Sequence, residues 1–148
     1  MPSETAVPDE APTPVSIPCD SVVSAQTMYD FNPNFGLLAS FTPDSGSLAA
    51  KAVADKGVAC RWINQTSGDT IDITISHPGP SAFDSVKGAA SAGASVGGLG
   101  DEAYFSTSGG QGIVQAFSGP YWVTGTSVFF SGAADATSLM ADAVAAAG

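Results

Sequence analysis

The sequence predicts an α+β domain: a single antiparallel sheet of about five strands with helices packed on it, in the order α-α-ββ-α-βββ-α. Three observations carry this. First, Val58–Asn64 and Thr70–His77 read as one hairpin closed by Gln65–Asp69. In its second strand Ile71, Ile73 and Ile75 alternate with Asp72, Thr74 and Ser76, the period of a half-buried strand with one wet face. Second, the later strands are joined by Ser108-Gly-Gly110 and Ser118-Gly-Pro120. Turns that short demand antiparallel neighbours, with helices expected on one face. Third, Ala136, Leu139, Met140, Ala143, Val144 and Ala147 recur at helical spacing behind Asp135, the stripe of an amphipathic C-terminal helix.

The elements follow in order. Residues 1–16 carry Pro2, Pro8, Pro12 and Pro14 with Glu4, Asp9 and Glu10. They have little to bury and are expected to be a disordered or extended tether, with one domain spanning 17–148. Met1 leads straight into this polar stretch without a signal-peptide pattern, and is expected to replace an export signal cut away. Asp20 or Ser21 caps a helix to about Tyr29, which Asn32-Pro33-Asn34 ends. The apolar run 35–41 fits a strand or a loop. Ser45 or Ser47 starts a helix over Leu48–Lys56, with Gly57 placed as its C′ residue.

In the hairpin Val58, Cys60 and Trp62 share one face, and Arg61 falls on the other near Asp72 or Thr74. A surface ion pair there contributes roughly 0–1 kcal/mol. Pro78 and Pro80 stop the strand. Ser81–Asp84 resembles a capping box for a helix burying Phe83, Val86 and Ala90. Residues 92–98, rich in Gly, Ala and Ser, unwind it. Strands are expected over Glu102–Ser106, Ile113–Ser118 and Tyr121–Phe130.

Four Lys and Arg against fourteen Asp and Glu leave a net charge of −10 on 148 residues. Such a chain repels phosphate backbones and anionic membrane surfaces, so nucleic acid is excluded as a partner class. No run approaches the ~20 apolar residues that cross a bilayer. The Pro-rich acidic leader, the Ser/Thr/Gly-rich strands and the scarcity of lysine read as an exported chain, where disulfides persist. Cys19 and Cys60 are therefore expected to be bridged; two buried free thiols are the alternative. Closing a loop of 41 residues is worth about 4 kcal/mol in the chain-entropy model. Cys19 does not suit lipid attachment, because Pro18 stands where a small residue is wanted.

Candidate chemistry is sparse. His77 is the only histidine and has no clustered partner, which disfavours a His-based triad. Asp101 and Glu102 are adjacent on a strand start and so diverge, a poor glycosidase pair. Asp101 is better suited to bonding loop amides. No Asx-rich loop supplies the oxygens of a calcium site, and Gly97–Gly100 precedes a strand without the Lys-Ser/Thr of a phosphate loop. Neither a metal nor a cofactor is expected, nor catalysis.

The aromatics are more informative. Trp62, Tyr104, Phe105, Phe117, Tyr121, Trp122, Phe129 and Phe130 all fall on expected strands. Core packing accounts for most of them. A groove edged by Trp62, Tyr104 and Trp122, with Asp101 and Glu102 supplying charge, is the expected binding site, suited to a neutral or cationic partner.

Ile17–Asp20 at a helix start, Cys60–Asn64 on a strand and Gly98–Tyr104 before a strand, spaced behind a Pro-rich acidic tether, resemble actinobacterial cell-envelope lipoproteins of unknown function. They are also similar to the extracellular sensor domain of a mycobacterial membrane serine/threonine kinase. The resemblance runs from about Ile17 to the C terminus. It implies a strongly bent antiparallel sheet, a lipid-anchored or membrane-tethered domain outside the cell, and a ligand-binding groove. The kinase sensor carries two disulfides where this chain can make one, no lipobox is present, and no catalytic residue carries over.

The expected function is that of a non-enzymatic extracytoplasmic, lipoprotein-like domain, monomeric, binding a small ligand or a cell-envelope partner. The alternatives are an enzyme or enzyme-inhibitory module acting on envelope polymers, and an assembly partner of a membrane complex.

Overall fold

The computed structural model describes residues 11–148. Its helices are α1 (Cys19–Val22), α2 (Ala25–Phe31), α3 (Leu48–Ala54), α4 (Pro80–Ala90) and α5 (Ala133–Ala147). Its strands are β1 (Phe35–Leu37), β2 (Val58–Asn64), β3 (Thr70–Ser76), β4 (Ala94–Val96), β5 (Glu102–Ser108), β6 (Gln111–Ser118) and β7 (Tyr121–Ser127). The α+β class and the single antiparallel sheet are as expected. The sheet differs in two respects: among the described residues it has seven strands, in the order β1-β2-β3-β7-β6-β5-β4, and it is not strongly curled.

Two meanders, β1-β2-β3 and β4-β5-β6-β7, meet where β3 pairs with β7. Helix α4 carries the chain from one to the other. The two added strands are the edges, β1 and β4, each three residues long. Edge strands this short limit edge-to-edge pairing.

Register decides which side chains share a face. Cys60 lies opposite Ile73 and Trp62 opposite Ile71; Ile73 in turn lies opposite Gly125 and Ile75 opposite Val123. These residues form a first face, buried under α1, α2 and α5 with Val22, Met28, Leu139, Met140 and Ala143. Gly125 lets α5 settle closely, since a Cβ there would stand 2.7 Å from the Met140 sulfur. The opposite, second face holds Arg61, Asp72, Thr74, Trp122, Thr124 and Phe117. It is covered in part by α3 and α4, where Leu48, Phe83, Val86 and Ala90 form a smaller apolar cluster with Phe117 and Trp122. Helices therefore pack on both faces, not on one.

The helix starts follow local chemistry. The single helix expected from Asp20 to Tyr29 is broken at Val23, which is extended. Ser24 restarts it: its Oγ accepts from the Thr27 amide, and its own amide donates to Asp142 on α5. Ser47 caps α3, accepting from the Ala50 amide. Pro80 occupies the first turn of α4 behind Gly79, a position where the missing N–H costs nothing. Asp135 acts from inside α5, reaching back to the amides of Ser131 and Gly132.

Lys56, not Gly57, takes the left-handed conformation after α3, at φ 62°. Gly57 is needed for close approach: a Cβ there would lie 2.5 Å from the Ile75 carbonyl oxygen and 2.8 Å from the Ser76 Cβ. Gly57→Ala is expected to destabilise the domain by about 1–3 kcal/mol through overpacking against β3. Urea unfolding measures it; an unchanged midpoint would mean that the α3–β2 link can shift freely.

The disulfide joins Cys19 to Cys60, with Cα atoms 5.6 Å apart, and fixes the start of α1 on β2. The tether expected over 1–16 falls in part, at residues 1–10, outside the described residues. The remainder departs from it. The Thr13 amide donates to the His77 carbonyl and the Val15 amide to that of Lys56, and Val15 and Ile17 pack against the first-face core. The folded unit thus takes in Thr13 and Val15.

Candidate functional site

The second face grades from apolar to polar along its strands. Beneath α4, Trp122 and Phe117 lie side by side, and the Trp122 indole donates to Gln115. In the next row Thr74 and Thr124 bond each other through their hydroxyls, buried. Beyond them Arg61, Asp72, Thr126, Ile113 and Ser106 form one continuous row across β2, β3, β7, β6 and β5. Over this row no helix lies flat. The first turn of α3 and the loop before it overhang it instead, leaving a cleft of about 390 Å³. Asp44, Leu48, Arg61, Asp72, Gln111 and Thr126 are among its walls.

Arg61 and Asp72 form a forked pair, Nε to Oδ1 at 2.7 Å and Nη2 to Oδ2 at 2.8 Å. Charge-assisted bidentate bonds of this kind are directional and strong. The pair is partly shielded, more than a fully exposed ion pair. The hydrogen bonds from Arg61 to Asp72 hold the guanidinium pKa above its usual value; burial opposes this, and the charges of Asp72 and Asp44 add to it. The Phe41 ring lies 4.4 Å below the guanidinium carbon, a cation–π contact that fixes the plane of Arg61. The cleft therefore has a rigid charged base flanked by hydroxyls and an amide, with Ile113 and Leu48 as its apolar part.

The residues expected to edge a groove are not brought together. Trp62 is on the first face, 3% exposed, and Trp122 on the second, 2% exposed. Trp62 lies opposite Ile71 and Trp122 opposite Ser76, so the register places the two rings on opposite sides of the sheet. Tyr104 and Glu102 do join Trp122 on the second face. The Tyr104 hydroxyl donates to Glu102, which raises the tyrosine pKa, and Lys87 on α4 stands 3.6 Å from the same carboxylate. Tyr104 packs against the apolar cluster under α4. Asp101 accepts from the Gly119 amide at 2.8 Å, tying the start of β5 to the β6–β7 turn. These residues fasten α4 and a turn to the sheet.

Two further hollows flank the fold. One of about 510 Å³ is walled by Thr13, His77, Pro78, Pro80, Phe83 and Pro120. Behind that wall the His77 ring meets Tyr121 at a tilt of 60°, with ring centres 5.4 Å apart. Three prolines offer no N–H to a ligand, and among the described residues no ion pair lies in its walls. The other, about 170 Å³, sits beside Trp62 at the β1 edge, between Tyr29 and Leu37, which are 63% and 40% exposed. Among the described residues no three His, Cys, Asp or Glu side chains gather where they could hold a metal ion, and no helix is long and apolar enough to cross a membrane.

No protein-family model, curated protein or solved structure matches this chain. The site must be read from its geometry. Sequence reasoning put Arg61 near Asp72 or Thr74, as a surface pair and not as part of a site; the register selects Asp72, and Gln111, Thr126 and Asp44 were missed. The available signal was the run of Thr and Asp on the wet sides of β3 and β7. Their meeting depends on the β3–β7 pairing, which no local pattern specifies.

Proposed function

We propose that this chain is a non-enzymatic extracytoplasmic domain that binds a small ligand in the cleft over the Arg61–Asp72 pair. The observation that carries the reading is the cleft itself: a concave space on a sheet face, with a fixed charged fork at its base and several uncharged polar groups converging on it. A few placed polar groups around a concavity are the usual make-up of a ligand site. The Cys19–Cys60 disulfide suits an oxidising compartment outside the cytoplasm. The likeness of the three motifs to envelope lipoproteins supports a place at the cell surface, next to a membrane.

Thr126 offers a test, because its side chain lies in the cleft on the sheet row. Thr126→Trp is expected to fill the space. In a thermal-shift screen with a diverse small-molecule library, compounds binding the cleft raise the Tm of the wild type and leave the variant unmoved. At a free concentration of about 100 Kd the gain is about 2.7 kcal/mol, or ~5–10 °C for a domain of this size. Compounds that stabilise both proteins equally, or a library that stabilises neither, would remove the cleft as the site.

A further inference from the structure

We infer that the cleft takes a neutral, polyhydroxylated ligand, a saccharide unit, rather than an ion; this rests on the binding reading above and narrows its ligand class. Charge is the first argument. The Arg61 guanidinium is matched by the Asp72 carboxylate through both of its oxygens, and Asp44 adds a negative charge close enough to act on Arg61. On a chain of net charge −10 an anion finds no uncompensated cation here. A cation fares no better. The carboxylate at the base is already engaged by Arg61, whose positive charge faces any second one, and Asp44 is exposed, where water and salt screen it.

Hydrogen-bonding capacity is the second argument. A guanidinium has five N–H donors, so Arg61 keeps donors beyond the two bonds to Asp72, and each carboxylate oxygen keeps a lone pair. The Gln111 amide donates and accepts, as do the hydroxyls of Thr70 and Thr126 on the same wall. Walls that offer both donors and acceptors fit a ligand whose own groups do both, as every hydroxyl of a sugar does. Neighbouring ring hydroxyls also present two oxygens at a spacing a planar fork can meet. Ile113 supplies an apolar surface for the C–H side of a sugar ring, and bridging waters make up the longer contacts.

Backbone-amide chemical-shift mapping of the whole chain tests the inference. The probes are D-glucose, D-mannose, D-galactose, N-acetyl-D-glucosamine and their disaccharides at millimolar concentration, with spermidine and inorganic phosphate as charged probes. At least one saccharide is expected to move the Asp72, Gln111 and Thr126 amides saturably. Gln111→Ala should weaken that binding about tenfold, ~1.4 kcal/mol, at unchanged Tm. Spermidine and phosphate should leave these amides in place. Saturable shifts there with spermidine or phosphate but no saccharide would overturn the ligand class and leave the site standing. No saccharide response, or one that maps to the hollow around His77, also overturns the class. The library screen with Thr126→Trp decides the site separately.

Discussion

Opening the Cys19–Cys60 disulfide is expected to lower the unfolding free energy by about 2–5 kcal/mol, the range for a native bridge in a small exported domain. The bridge closes a loop of 41 residues that contains α1, α2, β1 and α3. Of these, α1 has four residues and α2 and α3 seven each, too short to persist without tertiary support. Cys60 is buried in the first-face core. The bridge therefore confines, in the unfolded chain, a segment that contributes little helix of its own. The double variant Cys19→Ala/Cys60→Ala avoids leaving one thiol buried and free. Its urea midpoint should fall, and its m-value should rise because the unbridged unfolded chain exposes more surface. Wild-type protein treated with reductant should move the same way. A midpoint unchanged by reductant would show that core packing alone holds α1 on β2.

What could be read from the sequence divides along the range of the interactions. The β2–β3 hairpin, the α5 stripe and the capping of α3 by Ser47 are local, and periodicity or turn chemistry announces each. The Arg61–Asp72 pair is legible by half: alternation puts Arg61 on the wet side near Asp72 or Thr74, and the register across the connection between β2 and β3 decides for Asp72. Strands β1 and β4 are different. Ala94-Ser95-Val96 alternates over three residues only, too short a run to stand out from the Gly/Ala/Ser-rich stretch around it, and it is a strand only because β5 pairs with it. The position of Trp62 relative to Trp122 is also non-local. Alternation gives the parity of each residue within its own strand; only the β3–β7 pairing relates the two parities. That one relation separates the expected groove residues and at the same time assembles Arg61, Asp72, Thr126 and Ile113 in one row. The N-terminal boundary was missed for a related reason. Thr13 and Val15 are held by carbonyls of His77 and Lys56, distant partners that a proline-rich composition does not reveal.

Trp122→Ala is expected to cost about 3–5 kcal/mol, the range for truncating a buried aromatic. The ring is the centre of the smaller cluster that holds α4 to the second face, packed with Ala90 and Phe117 and partly with Phe83 and Val86. Its indole also donates to Gln115 at 3.0 Å. Truncation removes the apolar contacts and leaves a cavity that α4 can close only by moving. Trp122→Phe separates the contributions. It keeps most of the ring volume and loses the hydrogen bond, so about 1 kcal/mol is expected if Gln115 finds water instead. Trp62→Ala on the first face should cost a similar ~3–5 kcal/mol by a different route, through the larger core under α1, α2 and α5. Hydrogen exchange distinguishes the two. Trp122→Ala should accelerate exchange in α4 ahead of α5, and Trp62→Ala should do the reverse. Equal acceleration in both helices would mean that the two faces unfold as one unit and that α4 has no separable attachment. A Trp122→Ala cost below about 1 kcal/mol would mean that Phe117 and Phe83, whose rings meet edge to face at 5.5 Å, hold α4 without it.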